Sequence, residues 1–225
     1  MTSQLHTFAR RALWILPVWT AFLFLGTLTH QPDPQTAFAD FSAYITTNVF
    51  LVSHLVASIA GAALGSIGVV GLLLYLHESK AVGKAITGMV ATVAGNIFLT
   101  AVFGVAAFAQ PAMGRMFLAG EQNALDFYNQ VYAAPLFGTA ILGLLLFMVG
   151  GVFLGLAIAA SGRLPRWTGW AYTLSVVGYV VSFILFPVGM SLFSALLTAT
   201  TAVIAWSAAR EGHRQYARAA MSPGT

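Results

Sequence analysis

"LVSHLVASIAGAALGSIGVV", residues 51–70, decides the fold of this chain. The stretch is apolar except for three serines and one histidine. A helix crosses the hydrocarbon of a bilayer with about 20 mostly apolar residues, and this run is long enough and carries no Asp, Glu, Lys or Arg. It lacks the strict alternation of a barrel strand. Reading outward, the same character recurs. Six stretches qualify as spans, at about 12–29, 47–76, 85–109, 133–160, 167–186 and 188–208. Lipid offers no partner to a bare peptide group, so each run closes its own backbone bonds as a helix. The expected fold is all-α, an integral membrane helical bundle of about six transmembrane helices. It forms a single transmembrane domain over 1–225 that ends in a basic tail at 209–225.

Composition agrees. The chain is 59% hydrophobic and 7% charged, against roughly 25% charged in soluble domains, so most of its surface faces something other than water. The absence of cysteine excludes structural disulfides, thiolate metal sites, iron–sulfur clusters and cysteine nucleophiles.

The formal charge of +4 reads as topology. Arg10 and Arg11 precede the first run, Lys80 and Lys84 follow the second, and Arg163 and Arg166 follow the fourth. Arg210, Arg214 and Arg218 follow the sixth. On the other side Arg115 stands with Asp33, Asp40, Glu121 and Asp126. Basic loops stay in the cytoplasm, which puts both termini there. A cleaved signal peptide ending at "AFA", 37–39, is the weaker reading of the first run, whose apolar core is longer than a signal needs. The plan of six short-looped helices resembles that of many small bacterial membrane proteins. The expected location is therefore a cell membrane, a bacterial inner membrane, with no mechanism implied.

Two phrases, "DFSAY" at 40–44 and "DFYNQVY" at 126–132, each precede a span that ends in a basic turn. They suggest a weak two-hairpin internal repeat. Segments 36–46 and 113–131 read as short interfacial helices, with Phe and Tyr at headgroup level. "FPVG" at 186–189 reads as a tight hairpin turn.

Helices in lipid associate where small residues let backbones meet. Gly61, Gly65 and Gly68 in the second run, and Gly151 and Gly155 in the fourth, are the packing candidates. Gly143 and Gly150 in the fourth and Gly88, Gly95 and Gly104 in the third join them. Helical spacing puts His54 on the face of Ser58 and Gly61. An unbroken helix would extend that stripe back through Thr47, Tyr44 and Asp40 as a polar track.

The polar positions carry the functional candidates. His54 offers proton handling, or ligation of metal or haem, against a plain helix–helix hydrogen bond, which is preferred. A bis-histidine haem would need a second buried imidazole. His6, His77 and His213 fall in cytoplasmic segments and His30 at the outer edge. Asn96, between Thr92 and Thr100, either lines a cavity or bonds a neighbouring helix, the second being preferred. Ser191, Ser194, Thr198 and Thr201, and Ser175, Tyr179 and Ser182, form hydroxyl stripes that line a path or bond the preceding turn. Asp40 and Asp126, with Glu121 and Arg115, read as an outer acid/base group or, preferably, as solvated loop charges. The tail reads as an anchor to anionic lipids.

No carboxylate, Lys or Arg lies at the centre of a run, which disfavours an ion-driven pump. No Walker loop, GxSxG elbow, HExxH, desaturase histidine cluster or paired-aspartate helix is present. No metal and no cofactor is expected, and nothing in the chain would hold nucleic acid. The first reading is a membrane-complex subunit or a binder of a lipophilic ligand, with the bilayer and either a lipophilic small molecule or another membrane subunit as partners. A small transporter or facilitator using His54 and Asn96, and an outer-leaflet enzyme acting on a lipid or isoprenoid, are the alternatives.

Overall fold

A computed structural model describes residues 3–29, 31–121, 123–186 and 188–221, with side chains between Gln4 and Glu211 among them. His30 and the side chains of His213, Arg214 and Arg218 lie outside the described residues. The described residues are mostly helical and form no strand. Helices α1 (Ser3–Ala12) and α2 (Ile15–Gly26) make the first span. Pro17 divides them: it has no N–H for the carbonyl of Leu13, and its ring crowds that carbonyl. The first span therefore runs from Gln4 to Gly26, earlier than the 12–29 expected.

After the short α3 (Phe38–Ile45), the second span is built in three pieces. These are α4 (Asn48–Val52), a π-helical segment (Ser53–Ala60) and α5 (Gly61–Leu76). α6 (Val82–Leu118), α8 (Ala134–Ala160), α9 (Arg166–Leu185) and α10 (Val188–Met221) supply the remaining spans. α7 (Ala124–Val131) lies between α6 and α8. All six spans are long and apolar enough to cross a membrane, and the chain is a polytopic membrane protein.

The third span departs furthest from expectation. It was to end near residue 109, before Pro111, with an interfacial helix over 113–131. Instead α6 carries on to Leu118, and only Ala124–Val131 is separate. Proline removes one backbone bond, but the helix beyond it is held from outside. Buried Met113 joins Phe41, Ile45, Phe50 and Tyr128 in one cluster. Gly114 lies so close to α3 that a Cβ there would come within 2.9 Å of the Ser42 carbonyl. With 37 residues, α6 is about 55 Å long, more than the hydrocarbon is thick, and its far end packs against α3 and α7. It stops at a Schellman turn. Glu121 N–H bonds Met116 O and Gly120 N–H bonds Phe117 O, with Gly120 at φ 90°, where a side chain would be strained.

The spans pack in chain order as a closed ring, each against the next and the sixth against the first. At the basic end the seams are very close. Along the first seam each glycine of α5 receives a side chain from the first span: Ala12 over Gly71, Leu16 over Gly68 and Trp19 over Gly65. Between α6 and α8 the backbones themselves meet. A Cβ on Gly95 would sit 2.6 Å from Phe147 N, and one on Gly150 2.5 Å from Thr92 N. α8 uses a second glycine face for α9, where Gly151 meets Val176 and Gly155 approaches the Gly169 carbonyl. Large apolar side chains such as Ile97, Phe137 and Leu192 point out of the ring, as lipid-facing residues do.

The basic end is tied by charge. Glu78 accepts from Arg163 Nη2 at 2.6 Å and lies 3.3 Å from His77 Nε2 and 3.5 Å from His6 Nε2. Arg163 Nη1 also donates to the Tyr75 carbonyl at 2.8 Å, and the Tyr75 hydroxyl donates to Glu211. Four elements, α1, the turn after α5, the turn after α8 and α10, thus converge on one small network.

Candidate functional site

The ring is not filled throughout. Toward the end opposite the basic turns it holds a half-open cavity of about 100 Å³ that five spans share. The first contributes Trp19, Phe22, Leu23 and Gly26, and the second Ala57, Ser58 and Ala62. Asn96, Leu99 and Phe103 come from α6, Leu144 and Phe147 from α8, and Tyr179 from α9. Phe147 meets Trp19 edge-on across the ring, centroids 6.0 Å apart, and Tyr179 at 6.5 Å. These rings make an apolar wall with a few polar atoms set into it.

Asn96 shows how the polar atoms are held. Its Nδ2 donates to the Ala62 carbonyl and to Ser66 Oγ, both at 3.2 Å, so the amide ties α6 to α5. Both donor hydrogens are used and the carbonyl oxygen is left over. The Tyr179 hydroxyl, the Ser58 hydroxyl and the Trp19 indole N–H likewise have no hydrogen-bond partner among the described residues. The unpartnered side-chain atoms that are sealed from all space are others, the hydroxyls of Ser42, Thr92 and Ser182. The four atoms named above are not among these, and all four belong to residues that line the cavity. Two of them act as donor or acceptor (the hydroxyls), one only donates (the indole), and one only accepts (the amide oxygen).

The cavity's wall includes the π-helical segment. None of Ser53–Ala60 is buried, whereas α5, which continues it, buries nine residues. π-turns are rare and occur often at functional sites. Here the widened turn also shifts the phase of the helix. His54 leaves the glycine face and turns to the outer cap, its ring 4.1 Å from that of Phe50 and its Nδ1 3.0 Å from the Phe50 carbonyl. The track from Asp40 to His54 does not form. α3 ends at Ile45, and Thr47 is extended and caps α4 by accepting from Phe50 N–H at 3.2 Å.

The remaining candidates lie outside the cavity. Asp40 and Asp126 are exposed in the first turns of α3 and α7, where a carboxylate suits the helix dipole, and neither makes an ion pair among the described residues. The two short helices do meet, through Phe38, Phe41 and Tyr128. Beside them Tyr132 stacks on Tyr128 at 4.4 Å and accepts from Gln110 Nε2 at 2.6 Å. Burial pushes both phenols above their ordinary range. On α9 and α10, Ser175, Ser194, Thr198 and Thr201 each donate to a carbonyl one turn back, and Thr201 also meets Thr20 at 2.9 Å across the ring's closing seam. They line no path.

Of the five sequence candidates, Asn96 and Tyr179 share the cavity, while His54, Asp40 and Asp126 do not. Sequence reasoning missed Trp19, Phe103 and Phe147, since an aromatic residue in an apolar run reads the same whether it faces lipid or a cavity. Compared with known proteins, the chain matches no family model, no curated protein and no solved structure at a significant level.

Proposed function

We propose that this protein binds an amphiphilic alcohol, a lipophilic molecule that places its hydroxyl among Trp19, Ser58, Asn96 and Tyr179. The observation that carries this reading is the set of four unengaged polar atoms around one aromatic-walled cavity. Leaving such atoms unpaired in a dry site costs about 1–3 kcal/mol each, which a bound partner recovers. The indole N–H needs an acceptor and the Asn96 oxygen needs a donor. A hydroxyl group is both at once, whereas a ketone or quinone oxygen only accepts.

The volume suits the reading too. A water needs roughly 10–15 Å³ of such space, so the cavity takes a polar head and a few carbons rather than a whole lipid. The chain of the ligand would stay in the bilayer. Transport is less well supported, because glycine-backed seams close the ring between the cavity and the basic end. Catalysis is less well supported, because no carboxylate or imidazole lines the cavity.

Gentle purification followed by mass spectrometry of extracted small molecules tests this. The comparison is between wild type and a Ser58→Ala, Tyr179→Phe double variant, whose lost hydroxyls have no hydrogen-bond partner among the described residues. A hydroxylated lipid present in the wild type and depleted in the variant is expected. Bulk bilayer lipid alone in both would remove the reading and turn attention to a protein partner.

A further inference from the structure

The seam between the first and second spans changes character along its length. From the basic end each rung pairs a small residue of the second span with a side chain of the first. Gly71 takes Ala12, Gly68 takes Leu16, Gly65 takes Trp19, and Gly61 meets Phe22 at 3.7 Å. The next rung reverses. Ala57 faces Gly26, so the contact of this rung is a methyl group against a residue with no side chain. Gly26 is exposed, and both residues of that rung line the cavity.

The wall is also unlatched here. Asn96 ties the second span to the third by hydrogen bonds, and Thr20–Thr201 ties the first to the sixth. No side-chain hydrogen bond among the described residues joins α2 to the π-helical segment. That segment packs against α2 and α6 but buries none of its residues fully, and segments with few buried contacts are those that open first. Behind it stand Trp19 and Asn96, 1% and 4% exposed, with an indole N–H and an amide oxygen still open to a partner.

We propose that the Gly26–Ala57 rung is a lateral portal, through which the alcohol enters the cavity from the lipid, with the π-helical segment as its movable wall. The inference rests on the ligand site proposed above.

The chain has no cysteine, so a Gly26→Cys, Ala57→Cys pair introduces the only two thiols. A Cβ on Gly26 would lie 3.5 Å from that of Ala57, within the roughly 3.5–4.5 Å that a disulfide spans. Trp14, Trp167, Trp170 and Trp206 are all exposed and are changed to Phe, which leaves Trp19 as the single reporter. The probe is 2,2,2-trichloroethanol, a small alcohol that quenches indole fluorescence. In the reduced protein, quenching of Trp19 should saturate with probe concentration. Oxidation should slow its onset about tenfold or more, and reductant should restore it. Gly26→Leu plugs the same rung without a crosslink and should slow onset in the same direction. Saturable quenching with equal rates in the oxidised, reduced and Gly26→Leu proteins would overturn the portal and leave the site standing. Quenching that never saturates would remove the site, and the portal with it.

Discussion

Two halves of the same ring, built from the same six spans, behave as different materials. Toward the basic turns, glycines let helix backbones touch and a charged network ties four elements together. Toward the other end the second span widens into a π-helix, the glycine-to-side-chain pairing reverses, and a cavity opens. α6 runs through both halves. Gly88 and Gly95 on it are pressed against α8, while Gly104, nine residues further along, has nothing within 4 Å. A glycine in a membrane helix is therefore not in itself a packing residue. Its meaning depends on whether another backbone arrives, as one does again at Gly114, where α3 lies against the helix.

Substitutions along that one helix should show the difference most strongly. Gly95→Leu drives carbons into the Phe147 backbone and should lower stability by about 3 kcal/mol or more, read as a fall in detergent melting temperature. Gly104→Leu should stay within about 0.5 kcal/mol of wild type. Equal damage at both positions would mean that the halves do not differ in packing.

A smaller contrast separates holding from binding inside the cavity. Asn96→Ala removes two bonds to α5 and should cost about 1 kcal/mol of stability as well as ligand. Tyr179→Phe removes a hydroxyl that has no hydrogen-bond partner among the described residues. Its melting temperature should not move, while affinity for the alcohol should fall about threefold to tenfold in a titration of Trp19 fluorescence. A large stability loss from Tyr179→Phe would mean the hydroxyl has a structural partner.

The smallest effect belongs to the basic end. The hydrogen bond from Arg163 holds the Glu78 carboxyl below the usual carboxylate range, with His77 and His6 adding to it. A carboxyl that is more acidic in the folded than in the unfolded protein adds stability above its ordinary pKa, and loses it as pH falls through the lowered value. The melting-temperature gap between wild type and Glu78→Gln should be constant at neutral pH and close below about pH 4.5. The pair is largely solvated, so the gap should be slight. A gap that widens on acidification would show that the histidines, not Arg163, dominate the network.

Much of this was legible in the residues. Apolar runs declared six helices, and the short DF phrases became helices that cap the ring. Asn96 and Tyr179 stood out as polar groups in apolar surroundings and do face a cavity. His54 stood out for the same reason and does not, because the turns between it and Gly61 are wound as a π-helix and not as an α-helix. The third run was expected to end near residue 109, yet α6 continues through Pro111 to Leu118 with contacts from α3 along its end. Pro17 lies inside the first apolar run and divides it.

What the sequence determined by itself is what depends on solvent. An apolar run of spanning length belongs in lipid, its backbone must be helical there, and basic loops sort to one side. Those are properties of single segments, additive along the chain. Only the tertiary structure decided which glycines are touched, where the second span departs from α-helical winding, and which polar atoms are left unpaired around a shared space. Each of these is a relation between segments distant in sequence, set by how volumes fit across a seam, and no single segment carries it.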